Sequence, residues 1–130
     1  MSNDLTVFIG WDSREDIAYQ VARASILRHN PDVKVVPLKL YELRNQGLYN
    51  REEDKAGSTE FTISRFLAPF LCDYKGYSIF MDCDMVLTTD IMNIMKEADL
   101  TKTVNCVQHD YDKFGELSDV KMDGKVQAHY

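Results

Sequence analysis

The 130-residue sequence has no excess of basic residues, no long apolar run and few cysteines. Its 15 lysines and arginines are outnumbered by 21 aspartates and glutamates, which gives a net charge of −6. Nucleic acids and anionic membranes attract a net basic surface, so this balance argues against both partners but allows a local basic pocket for phosphate. No apolar stretch approaches the roughly 20 residues that span a bilayer. The N-terminus lacks the basic start of a signal peptide, so we expect a cytoplasmic protein.

The cysteine pattern excludes two further classes of protein. Cys72, Cys83 and Cys106 are odd in number and include no C-x-x-C pair. Such a set provides neither a disulfide framework nor a zinc knuckle, so we expect reduced cysteines in the core. A chain of this length suits a single domain, which we expect over residues 1–130 with a polar tail from about residue 110.

Strand-like and helix-like segments alternate along the chain. β-rich or apolar runs predict strands over residues 5–10, 33–40, 77–87 and 103–109. Helical spacing of apolar residues predicts helices over about 12–29, 58–72 and 89–98. This order is typical of an α/β fold with an open, mostly parallel sheet flanked by helices, in which ligands bind at the carboxyl ends of the strands.

Several residues predict where these segments begin, end or bend. Asp12 or Ser13 is the expected N-cap of the first helix, and Asn30-Pro31 ends it. Pro37 indicates a strand end or an edge strand, and Pro69 a kink or two short helices. The polar segment 44–58 is expected to be a long loop, and the apolar run 77–87 a central strand.

Two carboxylates interrupt that last apolar run, IFMDCDMVL. Residues i and i+2 of a strand point to the same face, so Asp82 and Asp84 would project together while Cys83 points into the packing. Convergent carboxylates repel one another unless a cation lies between them, and oxygen ligands favour Mn²⁺ or Mg²⁺. The simpler alternative is that both aspartates are solvated turn residues. Their position after an apolar strand favours the metal site.

The pair superficially resembles the signature of haloacid-dehalogenase-like phosphatases. That family carries the motif on its first strand, and residues 85–130 leave too little chain for its other elements. The ordered series GWDS, STEF-x-x-x-RF-x-x-P and FMDCD much more closely resembles nucleotide-sugar glycosyltransferases of the GT-A fold, related to family 8. The resemblance covers nearly the whole chain, including VNCVQHDY and KMDGKVQAHY, and implies a Rossmann-like GT-A nucleotide-sugar-binding half.

The resemblance also implies roles for the D-x-D residues and their neighbours. Asp84 would be the more direct ligand of Mn²⁺ or Mg²⁺, and Asp82 would bind the metal or the ribose. The Cys83 backbone would lie beside the sugar and ribose. Arg65 would pair with the nucleotide, with Asp82 or with Asp12. His109 is a candidate third metal ligand, and the catalytic residues are not identified.

The end of the first strand would cradle the base and the ribose. Gly10 would permit close approach of the backbone to the ligand, and Trp11 would either stack on the base or pack in the protein. Asp12 would bind the base or ribose, or cap the helix. Arg14 would reach a phosphate or remain solvated.

The expected function is metal-dependent binding of a nucleotide sugar, with a UDP sugar as the default. Full-length members of the resembled family continue past the point that matches Tyr130, where the acceptor pocket is formed. Three hypotheses follow: weak glycosyl transfer or hydrolysis, a non-catalytic binding module, and an acidic interaction protein with a vestigial D-x-D motif. A chain that lacks this continuation is expected to form a homo-oligomer that covers its apolar faces.

Overall fold

The structure is a computed structural model that describes residues 4–52 and 56–109. The chain divides into two compact units, Met1–Glu97 and Ala98–Tyr130, and the single domain expected over residues 1–130 stays a prediction. The first unit contains the regular elements in an alternating order. They are β1 (Leu5–Gly10), α1 (Asp16–His29), β2 (Lys34–Leu38), α2 (Leu40–Asn45), a 3₁₀ helix (Ser64–Leu67), α3 (Ala68–Leu71), β3 (Tyr77–Met81) and α4 (Met92–Glu97).

The described strands form a parallel sheet in the order β2-β1-β3, which confirms the expected α/β class. Val7 of β1 pairs with Val35 of β2 on one side and with Ile79 of β3 on the other. The central strand of this sheet is therefore β1, and the prediction for residues 77–87 was wrong in two respects. β3 already ends at Met81, and it lies at an edge of the described sheet with Tyr77 and Ser78 exposed.

The two faces of β1 are covered by different helices. Val7 and Ile9 pack in one cluster with Ala22 and Ile26 of α1, and all four side chains are fully buried. Phe8 points to the opposite face and packs with Leu38 and with Ala68 of α3. The alternation of side chains along a strand thus explains why the uninterrupted apolar sequence of β1 is buried on both sides.

α1 begins later than the sequence predicted. Its N-cap is Glu15, which makes no side-chain capping hydrogen bond, so the prediction of Asp12 or Ser13 as the cap was wrong. The Asp12 carboxylate instead accepts hydrogen bonds from Arg14 and from the backbone N–H of Glu60. The predicted end is confirmed, because α1 stops at His29, immediately before Asn30-Pro31.

The segment expected to be a long loop begins inside a helix. α2 extends to Asn45, and Gly47 (φ 71°) then reverses the chain so that the Leu48 N–H donates to the Leu43 carbonyl. Residues 58–63 form turns, followed by the 3₁₀ helix and α3, with Pro69 in the first turn of α3. The prediction of two short helices around this proline is confirmed.

The last part of the chain differs from expectation. In the described part of the second unit, residues 98–109 contain no strand, and Val104 and Val107 are largely exposed. The predicted strand 103–109 was therefore wrong, since its apolar residues are too few to cover a face. The polar tail predicted from about residue 110 lies outside the described residues.

The cysteine prediction is confirmed only in part. Cys72, Cys83 and Cys106 are all free, but only Cys83 is buried, while Cys72 is half-buried and Cys106 is exposed. Within the described ranges, no helix is both long and apolar enough to cross a membrane.

Candidate functional site

The carboxyl ends of the three described strands meet at one edge of the sheet. Gly10 pairs with Leu38, and Ile9 pairs with Met81, so the residues that follow these strands emerge together. The Lys39 ammonium lies 5.1 Å from the centroid of the Trp11 ring, which is a favourable cation–π distance. This is the edge at which the sequence predicts a ligand, and it also carries the D-x-D segment.

The D-x-D residues form a turn directly after β3. Cys83 is only 2% exposed, which confirms that it points into the packing. The Asp82 side chain is half-buried and Asp84 is exposed. Because the strand ends at Met81, the two carboxylates are brought near each other by this turn and not by strand alternation.

Arg65 is the positive partner of Asp82. Its Nη2 atom lies 3.8 Å from Asp82 Oδ1. The guanidinium lies 5.0 Å from the centroid of the Phe80 ring and 5.7 Å from that of Phe61, and its Nε donates to the Phe61 carbonyl. Of the two protein partners predicted for Arg65, the structure shows Asp82, and pairing with the nucleotide stays a prediction. Aromatic rings on an apolar support thus hold this cation at the D-x-D turn.

Burial raises the pKa of Asp82, and the neighbouring charges act in both directions. Arg65 lowers this pKa, whereas the carboxylates of Asp84 and Glu15 raise it. The carboxylates of Asp82 and Asp84 in the turn, together with that of Glu15 at the start of α1, therefore outnumber the single guanidinium of Arg65. An added cation would relieve this excess of negative charge, while an added anion alone would not.

Glu15 is the site residue that sequence reasoning missed. Its Oε2 accepts a hydrogen bond from the Cys83 thiol at 3.4 Å, which joins the start of α1 to the D-x-D turn. Burial and this carboxylate raise the pKa of Cys83 to about 12, so the thiol stays protonated at neutral pH and is not a nucleophile. The two residues are 68 positions apart, and no local pattern in the sequence could have paired them.

A buried network fixes the chain after β1 to the segment that precedes the 3₁₀ helix. The Asp12 carboxylate is fully buried and accepts four hydrogen bonds, three from the backbone N–H, Nε and Nη2 of Arg14 and one from the Glu60 N–H. Arg14 Nη2 also donates to the Ser58 carbonyl. These donors hold the pKa of Asp12 at about 2. Asp12 therefore faces inward in this structure and positions its neighbours.

Glu60 closes the same network from the other side. Its carboxylate accepts from the backbone N–H of Ser13 at 2.6 Å and from the Ser13 hydroxyl at 2.8 Å. Glu60 belongs to the STEF segment, which the sequence singled out without assigning this glutamate a role. Its function here is to fix the STEF segment to the GWDS segment.

The structure gives Gly10 and Trp11 packing roles. A Cβ atom on Gly10 would overlap the Phe61 ring, lying 2.8 Å from Cε2, so Phe61 by itself requires glycine there, and close approach of a ligand stays a prediction. Trp11 is half-buried, donates from Nε1 to Asp16 Oδ1 at 2.9 Å and makes an edge contact with Tyr41. Of the two roles predicted for Trp11, this geometry supplies the packing role, and stacking on a base stays a prediction.

The two predicted metal ligands, Asp82 and Asp84, lie in one turn, and a bound metal stays a prediction. Across residues 4–52 and 56–109, no group of three or more histidine, cysteine or carboxylate side chains is arranged to hold a metal ion. His109 lies in the second unit, so its proposed role as third ligand stays a prediction. Mg²⁺ and Mn²⁺ sites of nucleotide-binding proteins are often built from one or two carboxylates, with substrate phosphates and water as the remaining ligands. Asp82 and Asp84 are compatible with a site of that kind.

A curated relative resembles almost the entire chain. Protein CDI from Arabidopsis thaliana is 43% identical over 125 residues, which cover 95% of this chain and 47% of that protein. The chain thus spans about half the length of the curated relative that it matches. No protein-family model matches the sequence, and no solved structure matches it.

Proposed function

We propose that this chain binds a nucleotide sugar through a divalent cation held by Asp82 and Asp84, as a GT-A-type donor-binding unit. The observation that carries the proposal is the D-x-D turn at the carboxyl edge of a parallel sheet, with Arg65 Nη2 3.8 Å from Asp82. In parallel α/β sheets this edge is the usual place for a ligand. A UDP sugar is the default donor.

The charges of the turn suit a metal-bound diphosphate. A diphosphate alone would meet the carboxylates of Asp82, Asp84 and Glu15, which repel it. A bound Mn²⁺ or Mg²⁺ would neutralise both partners and stabilise the leaving nucleoside diphosphate. Arg65 provides a second positive group at the same turn, and a guanidinium suits phosphate oxygens because it can donate two parallel hydrogen bonds.

Transfer of the sugar is the expected reaction, with hydrolysis as its weaker form when water replaces the acceptor. The described residues supply a candidate donor site, and no catalytic base is assigned. A non-catalytic binding module, completed by a partner or by self-association, is the alternative. Release of sugar or of nucleoside diphosphate separates the two.

Calorimetry with UDP and with GDP, each with and without Mn²⁺, tests the binding step. We expect binding that requires the metal and that weakens at least about tenfold in Asp84→Asn, because one charged ligand is lost. Asp73→Asn is the matched control, since Asp73 is an exposed carboxylate whose ion pair is with Lys75. Binding of neither nucleotide, or equal binding by Asp84→Asn, would indicate instead an interaction protein with a vestigial motif.

An enzyme assay then separates catalysis from binding. A panel of nucleotide sugars incubated with Mn²⁺ or Mg²⁺ is expected to identify one base and one sugar that are turned over. Bound donors that remain intact would favour the binding-module alternative. The predicted self-association is measured in parallel by sedimentation, where a monomeric mass at high concentration would contradict it.

A further inference from the structure

Cys83 separates the two predicted metal ligands, and its side chain is the part of the D-x-D turn that reaches the interior. Cys83 is 2% exposed, whereas Asp82 is half-buried and Asp84 is exposed. The thiol belongs to the buried cluster that contains Ile9 of β1 and Ala22 of α1. Because the three residues of the turn are consecutive, whatever holds this thiol also influences how the two carboxylates are presented.

Glu15 is the polar partner of the Cys83 thiol. Sγ donates to Glu15 Oε2 at 3.4 Å. A buried cysteine otherwise behaves as a small apolar side chain, whose packing contacts have little directional preference. The hydrogen bond therefore supplies a directional contact between the D-x-D turn and the start of α1.

The backbone of Glu15 is itself fixed at the start of α1. Its N–H donates to the Asp12 carbonyl at 2.9 Å, and its carbonyl accepts from the Tyr19 N–H at 3.2 Å. Ala22 and Ile26 of the same helix are fully buried in the cluster that covers one face of β1. The half-buried Glu15 side chain thus reaches the turn from an element that is anchored on the sheet.

The place of the Glu15 carboxylate suits a turn that holds a cation. Burial raises the pKa of Asp82, and the Glu15 carboxylate adds to this increase, so it repels the negative charge of the turn. A thiol is only a weak hydrogen-bond donor and offsets little of this repulsion. A divalent cation on Asp82 and Asp84 would reverse the interaction, because Glu15 would then lie near a positive centre.

We propose that Glu15 is a positioning residue of the metal site, which holds the D-x-D turn through the Cys83 thiol so that Asp82 and Asp84 face one cation. This role rests on the proposed function, since it requires a cation at the turn. Contacts that orient the ligands of a metal ion are commonly worth about 10–100-fold in metal affinity. Glu15 acts through Cys83 and needs no contact of its own with the metal.

Binding of Mn²⁺ to the whole chain, alone and with UDP, tests this role through the electron paramagnetic resonance signal of free Mn²⁺. Glu15→Ala and Cys83→Ala each remove the hydrogen bond, and each should weaken Mn²⁺ binding about tenfold. The double variant should lose little more than the larger single loss, because both substitutions break the same contact. Cys83→Ser keeps a donor and should recover most of the affinity. Urea unfolding gives the folded fraction, so affinities are compared between folded proteins.

Glu15→Gln separates the hydrogen bond from the charge. Its amide oxygen still accepts from the thiol, so the Mn²⁺ affinity should fall less than in Glu15→Ala. Glu97→Gln and Cys72→Ala are the matched controls and should leave Mn²⁺ binding unchanged. Glu97 is exposed at the end of α4, and Cys72 is a half-buried free cysteine after α3. If Cys83→Ala does not fold, Glu15→Ala serves alone, because Glu15 makes no side-chain capping hydrogen bond to α1.

The outcomes distinguish the role of Glu15 from the proposed function. Absence of Mn²⁺ binding in the natural chain, with and without UDP, would overturn both. Binding that is lost in Asp84→Asn but unaltered in Glu15→Ala and Cys83→Ala would overturn the role of Glu15 alone. Equal losses in Glu15→Gln and Glu15→Ala, with none in Cys83→Ala, would show that Glu15 acts by its charge and not by positioning the turn.

Discussion

Arg65 and Asp82 meet at the carboxyl edge of the sheet, with Nη2 of the arginine 3.8 Å from Oδ1 of the aspartate. The arginine comes from the 3₁₀ helix and the aspartate from the turn after β3, so their contact joins two separate parts of the first unit. Both side chains are partly open to solvent, and such a pair contributes about 1 kcal/mol or less to stability. Its importance is expected in ligand binding.

Arg65→Gln should therefore separate binding from stability. We expect a change of about 1 kcal/mol or less in the free energy of unfolding, but about a tenfold loss of Mn²⁺-dependent nucleotide affinity. Calorimetry and denaturant unfolding measure the two quantities. Arg23→Gln, which removes an exposed arginine of α1, is the control and should change neither. Unaltered nucleotide affinity in Arg65→Gln would remove Arg65 from the proposed site.

Gly10→Ala should destabilise the protein because the new methyl group would overlap the Phe61 ring. Overpacking of this kind costs about 1–3 kcal/mol, which urea unfolding measures. Phe61→Ala creates space at the same point, at its own cost of about 3–5 kcal/mol. In the Phe61→Ala background the further cost of Gly10→Ala should be much smaller. Additive costs of the two substitutions would show that Phe61 is not the reason for glycine at this position.

Low pH should reduce the free energy of unfolding, because protonation of Asp12 disfavours the folded state. The donors around Asp12 hold its pKa at about 2, below the usual value of 3.8, so the folded state favours the carboxylate form. The resulting stability is fully present above about pH 4 and is lost as the pH falls toward 2, with a magnitude of about 2 kcal/mol. Unfolding experiments between pH 2 and pH 6 measure this dependence.

Asp12→Asn gives the corresponding control on that pH dependence. The variant should be less stable than the natural chain at neutral pH, because the ionic partner of Arg14 is removed, and its stability should vary less between pH 4 and pH 2. Asp73→Asn, at an exposed carboxylate, should keep the full dependence. An unchanged acid profile in Asp12→Asn would assign the effect to other carboxylates.

Ser64→Ala should be tolerated or stabilising. Ser64 is fully buried, and its hydroxyl has no hydrogen-bond partner among the residues that the structure describes. A buried unpaired hydroxyl costs about 1–3 kcal/mol, so alanine should recover part of that amount. Thermal unfolding measures the change. Ser25→Ala is the contrast, because the Ser25 hydroxyl donates to the Ala22 carbonyl and accepts from the Leu87 N–H. A loss of stability in Ser64→Ala would point to a partner for this hydroxyl.

Local sequence patterns predicted the parts of the fold that depend on neighbouring residues. The β-rich run of β1, the end of α1 before Asn30-Pro31 and the two short helices around Pro69 follow from residue preferences and proline geometry. The start of α4 is also fixed locally, since Asp90 Oδ1 accepts from the Met92 N–H. These features need no information about distant parts of the chain.

Predictions failed where distant residues decide the outcome. β1 rather than the run at 77–87 became central, because α1 and α3 cover its two faces. Asp12 did not cap α1, because Arg14 and the Glu60 N–H occupy its oxygens. An apolar run shows that a segment is buried, but the order of the strands depends on which helices cover it.

The sequence by itself determined that this is an α/β protein with two aspartates directly after an apolar strand, since period and polarity are local properties. The sequence also predicted Asp82 as one of the partners of Arg65. Only the tertiary structure decided that Glu15 accepts from the Cys83 thiol and that Gly10 is required by Phe61. These contacts join residues that are far apart in the chain, and only the pairing of parallel strands through their connecting helices brings them to one edge.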